Sequence, residues 1–133
     1  MNAENEQVIH ECAQGALSGS LAFPQIIQRL AQINIERYHA DYSRQEITYY
    51  GTDGSSLAVA TPHSAHAIAT EFSATAVETA VRQSQRNEHT YLEFIQKTTA
   101  AGCVGYFVLI TGRRVIYFGR QGESHTEHFP PGI

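Results

Sequence analysis

The sequence predicts an α+β fold: an internal duplication of an ααβββ unit with pseudo-two-fold symmetry, its antiparallel meanders packed against helices. Three observations carry this reading. Residues 23–62 reappear without a gap at residues 91–130, an offset of 68, with eight of the forty aligned positions identical. Beyond Ile27/Ile95 and Gln28/Gln96, which lie in expected helices, those identities (Tyr38/Tyr106, Tyr49/Tyr117, Gly51/Gly119, Gly54/Gly122, Ser56/Ser124 and Pro62/Pro130) fall on turns, strand partners and stops, where backbone geometry dictates residue type. In both copies, apolar residues at helical spacing give way to short strand-like runs. The 133 residues fit a single domain, with units at about 1–62 and 73–130 and a linker at 63–72.

The elements follow in order. A helix near 3–18 is expected from Val8, Ile9, Cys12 and Ala16, with Gly15, Ser18 and Gly19 weakening its end. A second, near 23–33, carries Phe23, Ile26, Ile27, Leu30 and Ile33 on one stripe. In the second unit a helix near 74–87 carries Val77, Ala80 and Val81. The next opens on Thr90 and Glu93, a capping-box pair that satisfies free backbone amides. Asn34 aligns with Gly102, the two residue types that best tolerate the left-handed conformation ending a helix. Strands are expected at 35–42 and 45–50, joined at Ser43-Arg44, and at 103–110 and 113–118, joined at Thr111-Gly112. That register sets Tyr38 against Tyr49 and Tyr106 against Tyr117. Third strands at 56–61 and 124–129 are halted by Pro62 and Pro130.

Composition narrows the function classes. Net charge is -4; residues 1–66 hold three basic and seven acidic residues, and residues 67–133 six of each. There is no basic stripe, which argues against nucleic acid. The longest apolar run, Cys103 to Ile110, is too short to span a bilayer, and the polar first residues do not resemble a signal peptide. A soluble cytoplasmic protein is the expectation. Cys12 and Cys103 lack metal or redox spacing and read as two reduced, partly buried small side chains.

The units part company on the face opposite the tyrosines. Unit one presents Arg37, His39, Asp41, Glu46, Thr48 and Tyr50; unit two presents Gly105, Phe107, Leu109, Arg114, Ile116 and Phe118. The simpler reading is a solvated face in one unit and a buried contact, such as a homodimer interface, in the other. The functional reading makes His39 a base or ligand, Asp41 its partner, and Arg37, Glu46 and Tyr50 the ligand-binding surround. A second candidate is the run Glu123 to His128, where His125, Glu127 and His128 offer nitrogen and carboxylate ligands to a divalent metal such as zinc. His125 and Glu127 share a face, while His128 points away unless the strand ends early. A polar edge strand explains the same run more simply. His63 and His66 belong to the linker. No G-x-S-x-G, phosphate loop or H-E-x-x-H motif occurs, and no cofactor is evident.

The stretches Glu36 to Glu46, Ala101 to Phe107, Ile116 to Arg120 and Gly122-Glu123 resemble the YbcV-like family of small bacterial and prophage proteins. The resemblance covers essentially the whole chain. It implies a domain of unknown function, a prophage connection and, for some members, a phage envelope label; it supplies no catalytic residues. The expectation is a non-enzymatic binding or interaction module, a homodimer or a binder of a small ligand or protein. The alternative is a metal-assisted or general acid/base enzyme acting on a small acidic ligand at Arg37, His39 and Asp41.

Overall fold

A computed structural model describes residues 1–64 and 66–133. Four helices and six strands follow in the order α1 (Ala3–Ser18), α2 (Phe23–Gln32), β1 (Ile35–Asp41), β2 (Glu46–Gly51), β3 (Ser56–Ala60), α3 (Ala74–Gln85), α4 (Tyr91–Ala100), β4 (Cys103–Leu109), β5 (Arg114–Gly119) and β6 (Ser124–His128). The protein is α+β, and the strands form one antiparallel sheet in the order β3-β2-β1-β4-β5-β6.

Local chemistry sets the helix ends. Asn2, Ser73 and Thr90 accept the backbone amides of Asn5, Ala76 and Glu93, and Glu93 completes its capping box with the Thr90 amide. Pro24 occupies the first turn of α2, where its missing N–H costs nothing. Gly19 ends α1 with φ 76°, and Asn34 and Gly102 take φ 62° and 90° where the helix chains turn into β1 and β4. Gly102 has a further constraint: a Cβ there would strike the backbone carbonyl of Glu71.

The hairpins hold the expected register, Tyr38 opposite Tyr49 and Tyr106 opposite Tyr117, with ring centroids 5.2 and 5.5 Å apart. Their loops are longer than expected. Each ladder stops one pair early, at Asp41–Glu46 and Leu109–Arg114, leaving loops at 42–45 and 110–113. The left-handed residues are Gln45 (φ 52°) and Arg113 (φ 57°), with no such role for Gly112. Tertiary contacts explain the early stop in the first hairpin: the Tyr42 amide donates to Val104 on β4, and its ring is buried.

The helices lie against the tyrosine face. Ile9, Leu30, Val77 and Ile95 are almost fully buried there with Tyr38, Tyr49, Tyr106 and Tyr117. Completely burying one such aliphatic side chain stabilises the fold by about 1.5–3 kcal/mol. Several polar atoms of this core are bonded. Thr98 Oγ1 donates to the Phe94 carbonyl, which leaves the Tyr42 hydroxyl to donate to Thr98 Oγ1 at 2.8 Å. The Tyr91 and Tyr106 hydroxyls bond each other at 2.7 Å. Cys12 and Cys103 are free thiols, both fully buried; burial pushes the Cys103 thiol up to about 12.

The expected linker is tied down where it is described. Ala69 and Ser73 donate backbone amides to the Thr99 and Ala101 carbonyls, and Arg120 donates to the Ile68 carbonyl at 2.6 Å. Such long-range ties have no local signature. Among the described residues, no helix is long and apolar enough to cross a membrane.

Candidate functional site

The candidate site is the sheet face turned away from the helices, and the central strand pair builds it. β1 and β4 pair antiparallel with His39 opposite Phe107, Arg37 opposite Leu109 and Asp41 opposite Gly105. Alternation along each strand then puts Arg37, His39 and Asp41 on one face with Phe107 and Leu109. β2 adds Glu46, Thr48 and Tyr50, and β5 adds Arg114, Ile116 and Phe118. Gly105 allows the close approach of the two central strands, because a Cβ there would run into the Ala40 carbonyl oxygen.

The five unit-one candidates separate into smaller groups. The His39 ring stacks on Phe107 at 4.4 Å and 14°, with Phe118 tilted at 5.8 Å. Its pKa is lowered, chiefly by burial and against the opposing pull of Asp41 and Glu46, so the imidazole is neutral at pH 7. Asp41 Oδ1 is engaged by the hairpin loop, accepting the amides of Ser43 and Arg44 at 3.0 and 3.2 Å. Glu46 accepts from Arg44 Nε at 2.8 Å. The Arg37 guanidinium lies over the Tyr50 ring at 4.2 Å and pairs with Glu36. Among the described residues, no hydrogen bond joins His39 to Asp41. Phe107, Leu109, Ile116 and Phe118 are half-buried by one another and lie outside the core. The face is an aromatic and aliphatic strip bordered by Arg37, Asp41, Glu46 and Arg114.

The β6 candidates divide between the two faces. His125 and Glu127 stand on the helix side, opposite Tyr117 and Val115, with side chains 18% and 14% exposed. His125 Nε2 lies 3.0 Å from Glu127 Oε1, and Arg82 Nη2 of α3 reaches Glu127 Oε2 at 3.3 Å. His128 pairs with Arg114 and faces the open side. Among the described residues, no three His, Cys, Asp or Glu side chains form a group able to hold a metal ion.

Two cavities lie elsewhere. One, of about 630 Å³, runs between α1 and β3 and is lined by His10, Glu11, Gln14, Leu21, Arg29 and Val59 among others. The other, of about 170 Å³, is bounded by His63, His66, Glu93 and Leu92. Neither is lined by Arg37, His39 or Asp41. Sequence reasoning did not single out the larger one. The Glu11–Arg29 ion pair on its rim joins two helices across 18 residues, so only the helix packing brings the partners together.

Comparison with known proteins adds one finding. The profile of a family described as "Protein of unknown function (DUF1398)" matches residues 11–127, and the chain belongs to that family. No curated protein shows significant similarity to the sequence.

Proposed function

We propose that this family member is a non-enzymatic interaction module that self-associates through the open face of its sheet. A single observation carries the reading. Antiparallel sheets that turn one face to water line it with polar residues, yet here Phe107, Leu109, Ile116 and Phe118 form a continuous strip on the paired strands β4 and β5. A second copy laid face to face would cover that strip and leave Arg37, Asp41, Glu46 and Arg114 at a polar rim. Sedimentation velocity tests it. The expected result is a dimer for the wild type and at least a hundredfold weaker association for Phe107→Asp. Circular dichroism on that variant and on Ile116→Lys reports retained fold. A wild type that stays monomeric at high concentration overturns the proposal.

The proposal includes an internal duplication. Every strand of the second half begins and ends 68 residues after its counterpart, as in Ile35–Asp41 and Cys103–Leu109. The central pair His39–Phe107 joins two positions that are themselves 68 apart, as a two-fold axis between β1 and β4 requires. On this reading the halves share one core and unfold together as one domain. A cytoplasmic setting suits two buried free thiols. The prophage connection rests on the family resemblance.

A second reading, a general acid/base or metal-assisted enzyme at Arg37, His39 and Asp41, is favoured by the neutral, half-buried imidazole. It is weakened by the engagement of Asp41 with its own loop. A zinc site would draw on His125 and Glu127, with His128 recruited from the other face. Metal content of untagged protein and melting with added Zn²⁺ decide this reading: ion bound to the native state raises the melting temperature.

A further inference from the structure

We infer that the groove between α1 and β3 is a docking site for an extended, uncharged peptide segment that adds a seventh strand to the sheet. The inference is independent of the open-face dimer. The two sheet edges differ.

β3 and β6 are the two edge strands. Their register fixes which backbone groups face outward. Thr61 donates its amide to the Gln45 carbonyl and Gly51 donates to the Ser55 carbonyl. Antiparallel pairing alternates with period two, so Leu57 and Val59 direct N–H and C=O toward β2. Ser56, Ala58 and Ala60 direct theirs outward. The strand is uncharged and small, Ser-Leu-Ala-Val-Ala. Edges of that kind are normally blunted by charge, proline or a covering element.

On the helix side of β6 the gap to α3 is filled. Arg82 Nη2 sits 3.3 Å from Glu127 and 3.6 Å from Glu78, and His125 completes the cluster. The positions 68 residues earlier are His10, Gln14, Leu57 and Val59. The helix offset holds in burial as well: Ile9, Cys12 and Ala13 are buried, as are Val77, Ala80 and Val81. With no arginine and no carboxylate to bridge it, the gap beside β3 stays open as the cavity of about 630 Å³. Its floor is apolar, from Val59, Ala13 and Leu21, and its rim carries the mutually neutralised Glu11–Arg29 pair.

These features specify the occupant. A strand of five residues offers roughly 17 Å of edge, enough for a short peptide paired through Ser56, Ala58 and Ala60. Its alternate side chains would enter the groove and must be apolar; the neutral rim disfavours a charged segment. It must contain amide donors, hence no proline at the pairing positions. A second copy fits less well. Contact along five residues with only serine and alanine outward on the open side falls short of the ~1,200 Å² total that stable interfaces bury.

The probe is a phage-displayed library of random ten-residue peptides selected on the full chain. Enriched peptides should alternate apolar and polar residues, and the synthetic form should shift and protect the amides of Ser56, Ala58 and Ala60. Transplanting the second-half bridge by Gln14→Arg with Val59→Glu should weaken binding at least tenfold. Ala58→Pro, which removes one outward amide and leaves the ladder to β2 intact, should do the same. No enrichment over an empty support overturns the inference, as does binding by selected peptides that ignores both variants in folded protein. A wild-type dimer that either variant dissociates assigns the edge to a second copy and equally overturns it.

Discussion

Tyr38 and Tyr49 in one half and Tyr106 and Tyr117 in the other share a register and nearly the same ring separation. One residue along, on the opposite face, His39 of one half stacks against Phe107 of the other. Positions 68 apart thus agree at the tyrosine pairs beneath the helices and disagree on the open face and along the two edge strands. Core packing admits few side chains, because interiors are as dense as organic crystals. An uncovered face or edge has no such neighbours and is free to diverge. The three places of divergence, namely the open face, the α1–β3 groove and the Arg82–Glu127 bridge, are therefore where a difference in role can reside.

Substitutions at matched positions test that contrast. The largest expected effect is at the helix stops. Asn34→Gly should change stability by less than about 1 kcal/mol. Gly102→Asn should cost about 3 kcal/mol, since the new side chain meets the Glu71 backbone in a buried site. Urea denaturation of both variants measures the gap, and equal losses would show that the stops are interchangeable.

Next comes the core pair Leu30 and Thr98, also 68 apart and both fully buried. Thr98→Val keeps the shape but removes the acceptor of the Tyr42 hydroxyl. A loss of about 1–3 kcal/mol is expected by thermal melting. Adding Tyr42→Phe to that variant should recover most of it, because no buried hydroxyl is then left unpaired. Absence of recovery would mean the pair contributes through packing alone.

A smaller effect separates His39 from Phe107. The folded-state pKa of His39 lies below its unfolded value, so the unfolded chain binds the extra proton first. Stability contributed by the neutral imidazole is complete above the unfolded pKa near 6.5 and is lost as pH falls through it toward the lowered folded value. Melting temperature followed from pH 7.5 to 5 should fall less steeply for His39→Phe than for the wild type. Identical slopes would assign the pH dependence to other groups. The smallest effect belongs to Arg82→Ala, at most about 1 kcal/mol and reduced by salt, against no change for Gln14→Ala.

Much of this architecture was legible beforehand for reasons that are local. Asn34 and Gly102 marked helix ends because few residues adopt positive φ. Thr90 and Glu93 marked a start because free amides need acceptors. Tyr38/Tyr49 followed from period two once the hairpin was placed. The loops at 42–45 and 110–113 were misjudged by one pair, since the Tyr42 amide bonds to Val104 on β4 and the Ile110 amide to Glu36 on β1. The candidate residues were legible only as a face: Arg37, His39 and Asp41 do share one, but their partners proved to be Tyr50, Phe107 and a loop backbone.

Sequence alone therefore determined where each helix begins, where each strand lies to within one residue, and which positions recur at an interval of 68. Those properties depend on backbone dihedrals and side-chain alternation within a few residues. Tertiary structure decided that β1 joins β4, that His39 meets Phe107, that Arg82 reaches Glu127, and that a groove stays open beside β3. Such pairings connect residues dozens of positions apart, and only the simultaneous burial of one shared core selects among the strand orders that local preferences allow.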